Sequence, residues 1–160
     1  MARKKKRFKG RIRPAWTYDL DLLVGLISEL AASDGEVATV SRDELARDIL
    51  GPWPWMRVLI AETDKKVVGY AALCPVAELQ FGKRGLEVQH LFVVTKARRT
   101  GVATALIRAG QDLALDEGCT YLSVGAHPEN EVARGIYLRM GFAPQADPWP
   151  RFHIALTRQG

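Results

Sequence analysis

Arg98-Arg99-Thr100-Gly101-Val102-Ala103 decides how this chain is read, because an apolar strand ends in front of it and a helix begins inside it. Upstream, Val88-Gln89-His90-Leu91-Phe92-Val93-Val94 is apolar and β-branched enough for a buried strand. Downstream, Val102, Ala105, Leu106, Ala109, Leu113 and Ala114 recur at helical spacing. The first N–H groups of a helix have no partner within it, and the helix dipole adds partial positive charge, so an anion placed there is held by both effects. Gly101 lets such an anion approach the backbone. The stretch therefore reads as a strand-to-helix loop built to hold phosphate. Alone, the same residues also describe a capped helix start with solvated arginines.

The neighbouring elements narrow the fold. Arg11-Ile12-Arg13-Pro14-Ala15 reads as a short strand, and Thr17 or Asp19 can cap a helix whose Leu22, Leu23, Leu26, Ile27 and Leu30 form an apolar stripe. Ser41-Arg42-Asp43-Glu44 has capping-box spacing for a second helix through Leu45, Ile49 and Leu50. Arg57 to Glu62 and Lys66 to Pro75 flank Thr63-Asp64-Lys65 as an antiparallel hairpin. Strand and helix then alternate: Leu86 to Val94, Gly101 to Glu117, Thr120 to Ala126, Asn130 to Met140 and Arg151 to Thr157. Antiparallel strands followed by a β-α-β unit predict the α/β (α+β) class, with a mixed, mostly antiparallel sheet of six or seven strands and helices on both faces.

With 160 residues, 48% of them apolar, the chain can bury one good core. The expected organisation is a basic, disordered tail over 1–9 and a single domain over 10–160. No apolar run approaches the roughly 20 residues of a membrane span, and the N-terminus has no apolar signal region. A soluble, cytoplasmic protein without a membrane partner is expected. Cys74 and Cys119 have no His or second Cys at metal-ligand spacing, so no metal site is expected, and two thiols fit a reducing compartment. Much of the +5 charge lies in Arg3-Lys4-Lys5-Lys6-Arg7, Lys9, Arg11 and Arg13. Such a run can attract nucleic acid, but with Phe8 as its one aromatic residue it offers little stacking surface, and a solvated tail is the simpler reading.

Two spaced motifs carry a family resemblance. Leu91-Phe92-Val93 is followed by Arg98-x-x-Gly101-x-Ala103, then by Asn130-x-x-Ala133-x-x-x-Tyr137-x-x-x-Gly141-Phe142. From Val67 to Phe142 the chain resembles the GNAT superfamily of acetyl-CoA-dependent N-acyltransferases, which implies a GNAT-like domain over 10–160 with acetyl-CoA as co-substrate. The resemblance implies that Arg98, Arg99, Thr100, Gly101, Val102, Ala103 and Thr104 cradle the pyrophosphate of coenzyme A. Leu91, Phe92 and Val93 would pair their backbone with the pantetheine arm as if it were an added strand. One N–H there would polarise the thioester carbonyl, where negative charge develops during acyl transfer. Tyr137 would protonate the departing thiolate, while Asn130, the natural cap of its helix, and Ala133 would contact the cofactor arm.

An amine must lose its proton as it attacks, so a carboxylate, directly or through water, is a sensible base. Glu87 is the first candidate; strand alternation puts it on the face of Gln89. The resemblance puts a Glu where this chain has Gln89, which cannot take a proton, and a β-bulge before Leu91 would change the facing of Glu87. His90 reads as a satisfied packing histidine, and His127 as a residue that can meet substrate. Glu78, Trp53 and Trp55 flank loops on the acceptor side; they serve equally as a solvated charge and aromatic core plugs.

The expected activity is transfer of acetyl from acetyl-CoA directly to a primary amine, with Tyr137 as acid and Glu87 as base. A small cationic amine of polyamine or aminoglycoside type ranks first as acceptor, and a protein or peptide amine second. A different class is a non-catalytic module that senses acyl-CoA or is tethered to nucleic acid by the basic tail. Trp149, Phe152 and Ile154 can pair two copies as a homodimer or close the core.

Overall fold

The structure, a computed structural model, describes residues 7–146 and 150–158. The basic run Arg3-Lys4-Lys5-Lys6 and Trp149 lie outside the described residues. The rest separates into two compact units, divided between His127 and Pro128.

Among the described residues the first unit holds one sheet of five strands in sequence order: β1 (Arg11–Pro14), β2 (Arg57–Thr63), β3 (Lys66–Glu78), β4 (Lys83–Val93) and β5 (Tyr121–Val124). The first three pairings are antiparallel and β4–β5 is parallel, so the mixed sheet is as expected, with fewer strands than six or seven. Asp64 and Lys65 both adopt positive φ, the backbone a tight hairpin turn demands, and they join β2 to β3 where the sequence placed the turn.

Helices α1 (Leu20–Ser33) and α2 (Arg42–Leu50) cover one face of this sheet. Their Leu20, Leu23, Leu26 and Leu45 form the core with Ile60, Tyr70, Ala72 and Phe92. The α1 stripe is rotated slightly from expectation: Leu20 is buried and Leu22 exposed. The capping box of α2 forms as read, the Ser41 Oγ accepting from Glu44 N–H at 3.1 Å and Glu44 Oε2 accepting from Ser41 N–H at 2.8 Å. Helix α3 (Val102–Asp116) packs on the opposite face, with Leu106 and Ile107 fully buried. A Cβ at Gly110 would lie 3.1 Å from Leu73, so the missing side chain sets how near α3 comes to the sheet.

The short edge strand β1 is fastened by charge. Arg13 donates to both carboxylate oxygens of Asp19, at 2.7 and 2.9 Å, and from Nε to Glu62 on β2 at 3.0 Å. Its guanidinium lies 4.4 Å from the Trp16 ring centre. Arg13 and Asp19 are 6% and 3% exposed, so neither charge is relieved by water if the other is lost. Burial pushes the Asp19 carboxyl upward, but the Arg13 hydrogen bonds and the Trp16 N–H outweigh it and hold the group below its ordinary value.

The second unit is built on α4 (Glu131–Arg139). Asn130 caps it through its side chain, accepting from Ala133 N–H at 3.1 Å. Gly141 at φ +93° ends it, turning the chain so that Phe142 N–H reaches Tyr137 carbonyl at 3.0 Å. The strand expected over Arg151–Thr157 does not form, and Phe152, Ile154 and Leu156 are exposed rather than closing a core. Alternation provides a strand with a face, but the ladder needs a partner edge that alternation does not specify. Among the described residues no helix is long and apolar enough to cross a membrane.

Asp19→Ala should cost about 1.5–3 kcal/mol, because the buried guanidinium loses its bidentate partner and keeps only Glu62 and the Pro14 carbonyl. Urea unfolding of both proteins checks this. Since the Asp19 pKa is lowered by folding, the gap between them should be full at neutral pH and shrink as pH falls below the ordinary value of 3.8.

Candidate active site

Strand β4 is paired on both sides over only part of its length. The parallel ladder with β5 runs from Gly85↔Tyr121 to Val88↔Val124 and stops there. On its other side β4 stays paired with β3 as far as Gly69↔Val93. From Gln89 to Val93 the backbone facing β5 therefore has no ladder partner among the described residues, and an extended ligand can complete it. The tight β4–β5 contact just before this point depends on Gly85, where a Cβ would sit 2.5 Å from the Tyr121 ring.

A β-bulge falls where the ladder stops. Leu73 pairs with Val88 and Ala72 with His90, leaving Gln89 as the extra, exposed residue. The bulge overturns the simple alternation expected of this strand. Glu87 pairs with Cys74, on the α1–α2 side together with His90 and Phe92, and is out of phase with Leu91 and Val93.

Beyond Val93 the chain makes a short turn over Thr95–Ala97 and enters α3. Arg98 folds back so that its Nε donates to the Val93 carbonyl at 3.1 Å, which fixes its charge at the end of β4. The Thr100 hydroxyl donates to the Ala97 carbonyl and closes the loop. Arg99 at φ +62° and Gly101 at φ +87° are both left-handed, turning successive N–H groups towards one side. Gly101 is the N-cap and provides no side-chain bond, and the first turn contains no acidic residue. By contrast, Ser41 caps α2 and Asn130 caps α4. The N–H groups of Val102, Ala103 and Thr104 thus open an α3 terminus with two arginines beside it, which suits an anion.

Gly69 is a contributor the sequence reading missed. A Cβ there would lie 2.6 Å from the Phe92 carbonyl and 3.3 Å from Val102, so its absence lets the α3 start rest on β3 beside the open part of β4. Its signal was a glycine inside an otherwise apolar strand, which marks a close backbone approach.

Tyr137 and Asn130 belong to the second unit. Tyr137 is buried and its ring meets Phe142 at 5.7 Å between centres. Burial raises its pKa, so the phenol keeps its proton at neutral pH. Among the described residues no hydrogen bond engages that hydroxyl. Trp53 and Trp55 are exposed rather than core plugs; His127 is exposed, and Glu78 ends β3 half-buried. His90 is half-buried and bonds Tyr70 through Nδ1 at 3.1 Å, as a packing histidine should. No group of three or more metal-ligating side chains exists among the described residues.

Residues 26–142 match the model of the acetyltransferase (GNAT) family. The chain is 34% identical to human N-acetyltransferase 8 over 83 residues, covering 52% of this chain and 37% of that protein. It is 30% identical to rat N-acetyltransferase 8B over 115 residues, or 72% of this chain and 49% of that protein. The chain thus spans half or less of these two relatives. A bovine thialysine N-epsilon-acetyltransferase aligns over 89% of this chain and 91% of its own length at 26% identity. Among solved structures, a probable acetyltransferase superposes with a TM-score of 0.78 over 93% of this chain and 99% of its own, at 23% identity. An aminoglycoside acetyltransferase from an uncultured soil sample gives 0.75 over 92% and 97%, at 19% identity. At such identities the likeness speaks for the fold.

Replacing Gly101 by Ala should cost about 1–2 kcal/mol, the penalty of a left-handed residue with a Cβ. It should also weaken binding of inorganic pyrophosphate, a probe of the anion site at the α3 start. Urea unfolding and a calorimetric titration read the two effects, and a variant unchanged in both would show that the positive φ is not required.

Proposed function

Because the chain belongs to the acetyltransferase (GNAT) family, we propose that it moves an acetyl group from acetyl-CoA directly to a primary amine, with a small cationic amine as acceptor. The observation that carries this reading is the half-paired β4 beside the uncapped start of α3. One offers extended backbone to a pantetheine arm and the other offers N–H groups to a pyrophosphate. In this reading Leu91, Phe92 and Val93 pair with the arm, and Arg98 to Thr104 hold the phosphates.

The amine lone pair attacks the thioester carbonyl carbon, and a backbone N–H of Leu91–Val93 stabilises the oxygen as it gains charge. The nitrogen proton passes through water to Glu87. As the carbon–sulfur bond breaks, the thiolate takes a proton whose donor is assigned as Tyr137 on the strength of its motif, and the raised pKa of that phenol keeps it a donor at neutral pH. Asn130 and Ala133, at the start of α4, are assigned to the cofactor arm on the strength of their motif. The name of the bovine relative, a thialysine N-epsilon-acetyltransferase aligned over 89% of this chain, supports a small amine acceptor.

Gln89 favours a second reading, because the exposed residue at the bulge cannot take a proton. A domain that binds acyl-CoA without turnover would need neither Glu87 nor Tyr137. Thiol release from acetyl-CoA against polyamines, aminoglycosides, amino acids and basic peptides separates the two. Amine-dependent release is expected, strongest with small amines; release confined to peptides would move the acceptor to a protein. Tight cofactor binding without release would establish the sensor. Tyr137→Phe should lower kcat by about 10²-fold or more while coenzyme A affinity changes little. An unchanged kcat would remove Tyr137 from the reaction. Deleting residues 1–9 should leave turnover intact, since we assign the tail no part in it.

A further inference from the structure

Beneath α1 and α2 the first unit contains a cavity of about 190 Å³. Leu23 and Ile27 of α1 and Val58 of β2 form its apolar walls, and Tyr70, Ala72 and His90 line it from the sheet. An apolar cavity of about 150 Å³ is enough to take up benzene, so this one accommodates a ring or a branched aliphatic group of that size. Asp48, also on the lining, is engaged by Arg47 at 2.7 Å. That carboxylate is already paired, and it disfavours a second anion.

One polar pair on the lining has a direction of donation that hydrogen-bond satisfaction favours. The Tyr70 hydroxyl is buried, and among the described residues its hydrogen-bond partner is His90 Nδ1, at 3.1 Å. Burial keeps the phenol protonated and the imidazole neutral at neutral pH, the latter against an opposing pull from Asp34 and Glu36. With Nδ1 as the phenol's partner among the described residues, the tautomer that satisfies the buried phenol proton places the ring proton on Nε2. Among the described residues no hydrogen bond engages Nε2, and the His90 ring lines the cavity. His90 directly follows the bulge at Gln89 and directly precedes Leu91, where the open stretch of β4 continues.

We propose that this cavity receives a side arm of the acceptor amine: a neutral, apolar group of about benzene size bearing an oxygen that accepts the His90 Nε2–H. The proposal rests on the acetyl-transfer reading and narrows it. A linear polyamine would bring charge against apolar walls and leave the imidazole donor unmet, whereas an arylalkyl monoamine with a carbonyl on its ring satisfies both.

Two neutral probes, benzamide and benzene, test the cavity in the full chain, with binding followed on the His90 ring nitrogens by NMR. Initial rates with aminomethylbenzamide and with diaminobutane test its use as an acceptor site. Benzamide should bind more tightly than benzene and move the Nε2 signal, and aminomethylbenzamide should be the better acceptor. Ala72→Leu, which puts a larger side chain on the floor, should weaken benzamide by about tenfold and lower the kcat/KM ratio of the two amines by a similar factor. Tyr70→Phe releases the imidazole tautomer and should erase the preference for benzamide over benzene while benzene still binds, a result that does not depend on how well the Leu variant folds. No movement of the His90 signal, a preference that survives Tyr70→Phe, or an unchanged rate ratio in folded Ala72→Leu would overturn the proposal. Thiol release with no amine at all, while benzamide still binds at His90, would overturn the acetyl-transfer reading and uphold the cavity as a site for this ligand class.

Discussion

Strand β4 carries two ladders over its first half and one over its second, and the site we propose depends on that change. A sheet hydrogen-bonded on both sides has no backbone to spare for a ligand. At Gln89 one extra residue enters β4, the ladder with β5 stops, and a row of N–H and C=O groups is left without ladder partners among the described residues. The same strand delivers the chain, through a tight turn, to a helix start that no side chain caps. Gly69 and Gly85 work at the two ends of this region, one letting α3 approach β3 and the other bringing β5 close before the strands part.

The other end of the sheet is held by different physics. A four-residue edge strand makes few ladder bonds, and β1 is secured by Arg13 reaching Asp19 at the entrance to α1 and Glu62 on β2. Buried charge of this kind is weak evidence for stability but fixes geometry, since each group accepts few alternatives. Here it ties the start of α1 to the sheet edge, and α1 is the helix whose Leu23 and Ile27 wall the cavity over His90. The acceptor-side architecture we propose thus leans on an ion pair in a strand far along the chain from it.

What the sequence made legible was local. The Ser41 capping box, the Thr63-Asp64-Lys65 turn, the Asn130 cap and the Arg98–Ala103 loop are each written in a few consecutive residues, and each formed. The bulge at Gln89 was not, because it is a statement about register with β3, and apolar alternation is compatible with pairing before and after a slip. It moved Glu87 out of phase with Leu91. The Tyr70–His90 bond and the Arg13–Asp19 pair were equally hidden, because partners across a sheet or a turn are chosen by tertiary packing. Arg151–Thr157 has the period of a strand and forms none.

A helix whose first turn is left uncapped, next to a loop residue at φ +62° that is not glycine, is a fold element finished by something other than the chain. Free of ligand, those amide groups rely on water and Arg99 retains its backbone strain; with an anion in place the same groups are satisfied. Occupancy and local order are therefore linked, and stability must rise with ligand concentration as RT ln(1 + [L]/Kd). With an anion bound there as proposed, the opening turn of α3 would gain order first, and the apolar core beneath α1 and α2 would be the last part to respond.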